Sequence, residues 1–193
     1  MLKKRVICLI SVSLLLSVLA TCAYCFNDGF GNAKKLTGDH FTVYCASGID
    51  PTHLADNLGI GLIDELLAGK SVKTGSSEKS GLTGMLDTFF AQIIDILDMP
   101  LYSYKGNIKI CRDDAQLSEV YYSLFRSKIK KRKAFYVHDL NTVYVSAESF
   151  TREVLGHEIA HAVISNYFVV MPPMKVQEVL AGYVEFQLRK VRR

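Results

Sequence analysis

The sequence predicts a mixed α+β fold in one domain, and three observations lead to this prediction. Runs of β-forming residues lie at residues 40–45, 108–111 and 134–146. Segments whose apolar residues recur at helical spacing separate these runs and continue after the last of them. The 193 residues suffice for one hydrophobic core but are few for two, and no internal repeat is present.

The order of elements is read from periodicity and from turn signals. Residues 24–38 show no period and are expected to be irregular, and residues 69–84 are Ser-, Gly-, Lys- and Thr-rich and are expected to form a flexible connection. Asp50 and Pro51 form a helix start. Helices are predicted over residues 51–68, 86–97 and 117–125, from about residue 151 towards Pro172, and over residues 175–190.

The first residues have the features of a secretory signal peptide. A basic start precedes an apolar run at residues 6–19, and small residues follow near a cut site. The apolar run is shorter than the about 20 residues that a bilayer-spanning helix needs, so we expect residues 1–23 to be cleaved after Ala23. The chain is therefore expected to be exported, periplasmic or secreted. Residues 24–193 would form its single mature domain, with no stable membrane span.

Two alternatives remain for this end of the chain. The sequence Leu19-Ala20-Thr21-Cys22 resembles the lipobox that precedes a lipid-modified cysteine, although Thr21 stands where Gly, Ala or Ser is usual. Lipid anchoring at Cys22 is therefore a minority interpretation. A membrane-anchored interaction protein is the other alternative. In that case the metal-binding motif described below would be fortuitous, and no metal would be bound at all.

The net charge gives no reason to expect a nucleic-acid partner. Lys and Arg number 23 against 19 Asp and Glu, and three of the cations lie in the leader, which leaves 20 against 19. The mature chain is thus close to neutral. The basic run at residues 128–133 is interpreted as a solvated helix end or loop, with a binding patch as the less favoured interpretation.

The cysteines do not predict a cysteine metal site. Cys25, Cys45 and Cys111 follow the leader, and their spacing is not that of a zinc ribbon. Cys45 and Cys111 each end a strand-like run, so in an oxidising compartment they could pair. A Cys45–Cys111 disulfide is a hypothesis of the sequence.

The strongest functional signal lies on the helix predicted from about residue 151. His157 and His161 are four positions apart, so on a helix their imidazoles lie on one face, one turn apart, and can converge on one ion. Glu158 projects beside that face, where it can act as a base without being a ligand. This is the His-Glu-x-x-His arrangement of zinc metallopeptidases.

Two histidines leave a catalytic zinc one protein ligand short. The acids that follow are Glu178 and Glu185, on a helix that follows the turn at Pro172 and Pro173. An antiparallel helix would bring Glu178 back towards His161, helped by the small Ala181 and Gly182. Glu185, two turns further on, would instead hydrogen-bond a ligand imidazole. Glu178 is therefore favoured over Glu185 as the third ligand.

These residues resemble a known family, the gluzincin metallopeptidases, and particularly the peptidase-MA-like bacterial proteins. The sequence His157-Glu158-Ile159-Ala160-His161 is followed by Pro172-Pro173 and then by Glu178-Val179-Leu180-Ala181-Gly182-Tyr183. In that family a metal helix, a Pro-containing turn and a second helix whose first Glu binds zinc follow in the same order. The similarity is close over residues 151–185 and looser over the strand-like runs.

The resemblance implies a zincin-like fold, with a small mixed sheet packed on helices, and a zinc-dependent peptidase. One zinc ion per chain would be held by His157, His161 and Glu178. Glu158 would be the general base, and the substrate a peptide or protein. In relatives an edge strand beside the metal helix holds the substrate extended, and residues 135–146 are its expected counterpart.

Two departures from the family pattern support an alternative, an exported binding module that keeps the metal site without turnover. Gly182 replaces an acidic residue that is common in the second helix. A C-terminal helical subdomain, which often supplies an oxyanion donor in large gluzincins, is not expected after Glu185. The candidates for that donor are left unassigned: His138, Tyr136, Tyr144 and Tyr183.

Overall fold

Five strands of the described chain form one mixed sheet. The computed structural model describes residues 28–58, 81–128 and 132–190. The strands are β1 (Ala33–Thr37), β2 (Phe41–Ala46), β3 (Gly106–Cys111), β4 (Ala134–Val137) and β5 (Thr142–Ser146), in the spatial order β1-β2-β3-β5-β4. Strands β2, β3 and β5 are parallel, and the edge strands β1 and β4 are antiparallel to their neighbours. The predicted mixed α+β class is confirmed.

Five α-helices lie beside the sheet in the part of the chain that the structure describes. They are α1 (Pro51–Asn57), α2 (Leu82–Leu97), α3 (Asp114–Phe125), α4 (Arg152–Tyr167) and α5 (Met174–Lys190). Each corresponds to a helix that the sequence predicts. The continuation of the predicted 51–68 helix lies outside the described residues, as do the leader, Cys22 and Cys25. None of the described helices combines the length and the apolar character that crossing a membrane requires.

Two boundaries differ from the prediction. β1 falls in the segment expected to be irregular, and α2 begins at Leu82, inside the segment 69–84 expected to be a connection. The side chains of β1 are exposed or half-buried, so the strand shows no apolar alternation in its sequence. It forms because its backbone pairs with β2 along the edge of the sheet. Backbone pairing with β2 therefore determines the conformation of a segment whose own sequence pattern predicts no strand.

Two separate cores cover the two faces of the sheet. The larger core joins the sheet to α1, α2, α4 and α5, and its sheet residues are Phe41, Val43, Cys45, Ile108, Ile110, Ala134, Val143 and Val145. The smaller core joins the opposite face to α3, through Ala46, Cys111, Leu117, Val120, Phe135 and Tyr144 together with Phe30. Because side chains alternate along a strand, β2, β3, β4 and β5 each contribute to both cores.

This alternation overturns the expected disulfide. Cys45 pairs in register with Ile110, the residue before Cys111, so the two sulfurs lie on opposite faces of the sheet. Cys45 belongs to the larger core and Cys111 to the smaller one, and both are free and buried. Burial raises the pKa of the Cys111 thiol to about 12, which makes it a poor nucleophile.

The close contact of α4 with its neighbours depends on Gly156. A Cβ atom at this position would lie 2.3 Å from Leu188 Cδ1 of α5 and 3.2 Å from Phe89 Cζ of α2. The absent side chain lets both helices approach α4. Ala181 is buried, as expected for a small residue in the interface, but Gly182 faces open space, so the predicted packing role of Gly182 is wrong.

A buried ion pair fixes the start of the described chain to the smaller core. Lys109 Nζ contacts Asp28 Oδ2, to which the Tyr144 hydroxyl also donates at 2.6 Å. Burial acts to raise the pKa of Asp28, but the hydrogen bonds from Lys109, Tyr144 and the Phe30 N–H outweigh it, and the pKa lies below its usual value. The ionised carboxylate therefore contributes to folding stability.

We predict that Asp28→Asn lowers stability at neutral pH and removes part of its acid dependence. A carboxyl group whose pKa is lower in the folded than in the unfolded state stabilises the fold at pH values above its unfolded-state pKa. This contribution disappears as the pH falls through the folded-state pKa. Asp28→Asn should cost about 1–3 kcal/mol at pH 7, and this cost should shrink as the pH is lowered below the usual Asp pKa of about 3.9. Urea unfolding at neutral pH and below that pKa measures it, with the exposed Asp139→Asn as control. Equal stabilities of wild type and Asp28→Asn at neutral pH would contradict it.

A second prediction compares two glycines within helices. Gly156→Ala and Gly182→Ala gain the same intrinsic helix propensity, about 1 kcal/mol. Only Gly156→Ala must displace Leu188 and Phe89, which costs about 1–3 kcal/mol when a core is overpacked. Gly182→Ala should thus be the more stable variant in denaturant unfolding by that difference. Indistinguishable variants would show that the close contact at Gly156 is not a constraint.

Candidate functional site

The helix α4 presents two histidines towards α5. Its first turn is capped by Thr151, whose hydroxyl accepts the N–H of Val154 at 3.4 Å. Leu155 and Ile159, both fully buried, hold the helix against the larger core. His157 and His161 lie on the side that faces α5, and their Nε2 atoms are 3.3 Å apart. The predicted convergence of the two imidazoles is present.

The helix α5 brings a carboxylate to the same point. The chain reverses at Pro172 and Pro173, so α5 runs back along α4. Glu178 Oε2 lies 3.5 Å from His157 Nε2, and Glu178 Oε1 lies 3.8 Å from His161 Nε2. The structure thus brings together the three residues that the sequence names as metal ligands, with one donor atom of each within 4.8 Å of the others.

The separation of the two imidazole nitrogens is that of two ligands in a tetrahedral metal site. A metal ion with bonds of about 2.0–2.1 Å in tetrahedral geometry holds its ligand atoms about 3.3 Å apart. The two imidazole nitrogens already have this separation, but Glu178 approaches them with different oxygens, at 3.5 and 3.8 Å, so one oxygen must move inward to meet both. Glu178 is half-exposed and can make that movement. The residues present therefore fit a tetrahedral ion with a fourth position open.

Each imidazole has a partner on α5 at its other side. His157 Nδ1 lies 3.5 Å from Glu185 Oε2, where the sequence predicted Glu185 to act, although the two atoms are not aligned for a hydrogen bond. His161 forms a side-chain hydrogen bond with Gln177, which is buried and donates to the Pro172 carbonyl at 2.7 Å. Such partners orient metal-binding imidazoles.

Sequence reasoning missed Gln177. It belongs to no motif, and its only signal was its position next to Glu178 on the second helix. Its contact with His161 follows from how α5 packs on α4, which the sequence does not specify in detail.

The electrostatics favour a neutral His161. Burial lowers the pKa of this imidazole, the neighbouring His157 lowers it further, and the Glu178 charge opposes both. A neutral imidazole is the form that binds a metal ion.

Glu158 lies beside the two histidines on the side of β4. Its carboxylate accepts the backbone N–H of Tyr136. Burial raises the pKa of Glu158 to about 7, with Arg132 acting to lower it and Glu178 to raise it. A carboxyl group whose pKa lies near neutrality can both accept and donate a proton at physiological pH.

The edge strand β4 presents free backbone groups to this site. The Ser146 N–H donates to the Lys133 carbonyl, so the residues at alternate positions from Lys133 face β5. The backbone groups of Ala134 and Tyr136 therefore face away from the sheet, towards α4 and the site. Tyr136 uses its N–H on Glu158, which couples the edge strand to the candidate base.

A cleft of about 580 Å³ contains the whole constellation. Its walls come from β4 and its flanks, from α4, and from α5 with the loop before it. Arg132 and Lys133, the described end of the basic run, line it as well. Both are exposed, as expected of a solvated loop, but their place in the cleft was not predicted. Residues 129–131 lie outside the described residues.

The four residues considered as oxyanion donors separate into two groups. His138 and Tyr136 line the cleft, but the Tyr136 hydroxyl is already bound to Asn141 Oδ1 at 3.0 Å. Tyr144 is on the other face of the sheet, where it donates to Asp28, and Tyr183 lines a separate pocket between α2 and α5. The arrangement removes Tyr144 and Tyr183 as candidates.

Comparison with known proteins adds no assignment to this geometry. No family model, no curated protein and no solved structure matches the chain. What the site can do must therefore be argued from its own residues.

Proposed function

We propose that this chain is a zinc-dependent hydrolase that cleaves peptide bonds, with one zinc ion held by His157, His161 and Glu178. The observation that supports this proposal most directly is the convergence of the Glu178 carboxylate on two imidazole nitrogens that are 3.3 Å apart, with one donor atom of each residue within 4.8 Å of the others. Two imidazoles and one carboxylate are a ligand set of catalytic zinc sites. Calcium and magnesium prefer sites built from oxygen ligands, so the donor chemistry favours zinc.

When bound, zinc supplies Lewis acidity, which lowers the pKa of water and polarises a carbonyl group. The chain itself supplies the proton transfers. The Glu158 carboxylate, placed beside the imidazoles, accepts a proton from the attacking water and later donates it to the leaving amine. The hydrogen bond from the Tyr136 N–H holds this carboxylate towards the cleft.

The edge strand favours a peptide as the substrate. The outward-facing backbone groups of β4 border the cleft and can pair with an extended chain, as in the addition of a strand to a sheet. A peptide held in this way would lie along β4 and pass the metal ligands. The resemblance of residues 151–185 to the gluzincin metallopeptidases agrees with this substrate class. The leader-like residues 1–23 support an exported enzyme, as the sequence predicts.

We predict that the purified mature chain binds about one zinc ion and that His157→Ala abolishes this binding. Metal analysis after dialysis measures the content. The exposed His53→Ala on α1 is the matched control and should retain the ion. A wild-type chain without metal would overturn the proposed function at its first step.

The role of Glu158 needs a separate prediction. Glu158→Gln should keep the zinc ion, because the residue is not a ligand, and should lower the turnover of a peptide library by about 10²–10⁴-fold, because the base is lost. Chelator-treated wild type serves as the inactive reference. Normal cleavage by Glu158→Gln would make the base assignment wrong. Zinc binding without any cleavage by wild type would instead support the exported binding module.

A further prediction concerns the outer partners of the imidazoles. Gln177→Ala and Glu185→Ala should each weaken zinc affinity by about 10–100-fold, because the imidazole that each contacts loses its fixed orientation. Competition with a chromogenic chelator measures the affinity. Gln187→Ala, on the same helix but in the pocket between α2 and α5, is the control and should bind as wild type does. Unchanged affinity in Gln177→Ala would leave the hydrogen bond to His161 without a role in binding.

A further inference from the structure

The two ends of the cleft differ in chemistry. Glu185 contacts His157, whereas Met174 lies at the start of α5. From residue 174 to residue 185 a helix advances about 16 Å. Arg132 and Lys133 precede β4, and His138 follows it. Glu158 of α4 lies near the Tyr136 N–H within β4, and Asn166, two turns later, donates to Asn141 beyond the end of β4, so the two elements run in the same direction.

These directions determine which residues lie at the same end of the cleft. Arg132 and Lys133 lie towards the first turns of α4, with Val154, and on the side of Glu185. Met171 and Met174 lie towards the last turns of α4, on the side of His138. The metal ligands lie between the two groups, and all of these residues line one cleft.

The first end is cationic and its charge is not neutralised by the surrounding carboxylates. Among the described residues no carboxylate lies within ion-pair distance of Arg132 or Lys133. Glu185 is engaged by Arg189 and His157, and Glu178 by the two histidines. Arg132 is nevertheless close enough for its charge to act on both Glu158 and His161.

The second end is apolar. Met171 and Met174 are 39% and 65% exposed, and the other large apolar side chains between the end of α4 and the start of α5 are exposed as well: Tyr167, Phe168, Val169 and Val170. Methionine is flexible and polarisable, so it can fit apolar side chains of different shapes. A run of neighbouring exposed apolar side chains is typical of a binding surface.

We infer that this cleft selects extended peptides that carry an acidic side chain on one side of the bond to be cleaved and a large apolar side chain on the other. The inference rests on the proposed function and names its substrate class. An extended peptide advances about 3.3 Å per residue, so the acidic and apolar positions are only a few residues apart. Arg132 and Lys133 bind the acid, and Met171 and Met174 contact the apolar side chain.

The alternative is that Arg132 and Lys133 belong to a solvated basic loop that touches no ligand. The chain provides a matched comparison, because Lys128 is also exposed and belongs to the same basic run but does not line the cleft. Charge reversal at the cleft should alter selectivity, and charge reversal at Lys128 should not. A general electrostatic effect of the run would affect both alike.

The experiment uses the zinc-loaded mature chain and a set of eight-residue fluorogenic peptides. Each peptide with Asp or Glu at one position has partners with Gln or Lys there. We expect kcat/KM for the acidic member to exceed that for its Gln partner by about tenfold. Arg132→Glu combined with Lys133→Glu should reverse the preference towards Lys, and Lys128→Glu should keep it. Equal cleavage of all members by wild type overturns the inference while leaving the proposed function intact.

A binding measurement distinguishes failure of the inference from failure of the proposed function. Fluorescence anisotropy of the same peptides on zinc-loaded Glu158→Gln does not require turnover. If wild type cleaves no peptide but the acidic members bind in a manner lost in the double charge reversal, the proposed hydrolysis fails and the selectivity stands. If the acidic members show neither preferential cleavage nor preferential binding, the inference is wrong.

Discussion

The close antiparallel contact between α4 and α5 is the constraint on which the rest of the site depends. Three donor atoms on two helices meet within 4.8 Å only because the helix backbones approach closely at Gly156 and Ala181. The same contact places Glu185 beside one imidazole and Gln177 beside the other. A single packing interface thus positions the candidate ligands and the groups that orient them, so a change in that interface would affect all of them together.

The sheet supplies the other wall of the site, and its topology explains why β4 can do so. The parallel strands β2, β3 and β5 are enclosed, whereas β4 is paired on one side only. An unpaired edge is a liability that proteins usually cover. Here the edge faces α4 across the cleft, and the carboxylate of Glu158 satisfies the Tyr136 N–H. The edge is therefore shielded from pairing with other molecules in general but remains accessible from within the cleft.

Much of this arrangement was predictable from the sequence, and what was missed has a common physical cause. The convergence of the candidate ligands could be predicted because helical spacing fixes the relative direction of His157 and His161, and because a proline turn implies an antiparallel return. β1, Gln177 and the place of Arg132 were not predicted, since each depends on contacts between elements distant in sequence. The supposed disulfide failed for a similar reason: Cys45 and Cys111 end strands at neighbouring positions, but a difference of one residue in register places them on opposite faces.

The two faces of the sheet have different roles: one carries the buried ion pair, and the other supports the helices of the candidate site. The smaller core contains the ion pair of Asp28 and Lys109, and this pair lies on the face opposite α4, away from the cleft. The larger core supports α4 with apolar residues, which leaves its polar residues free to face α5 and β4. A buried carboxyl such as Glu158 is costly in free energy unless it is neutral or well paired. Its raised pKa, the Arg132 charge and the Tyr136 N–H together allow it to remain there, and the same three features make it suited to exchange a proton.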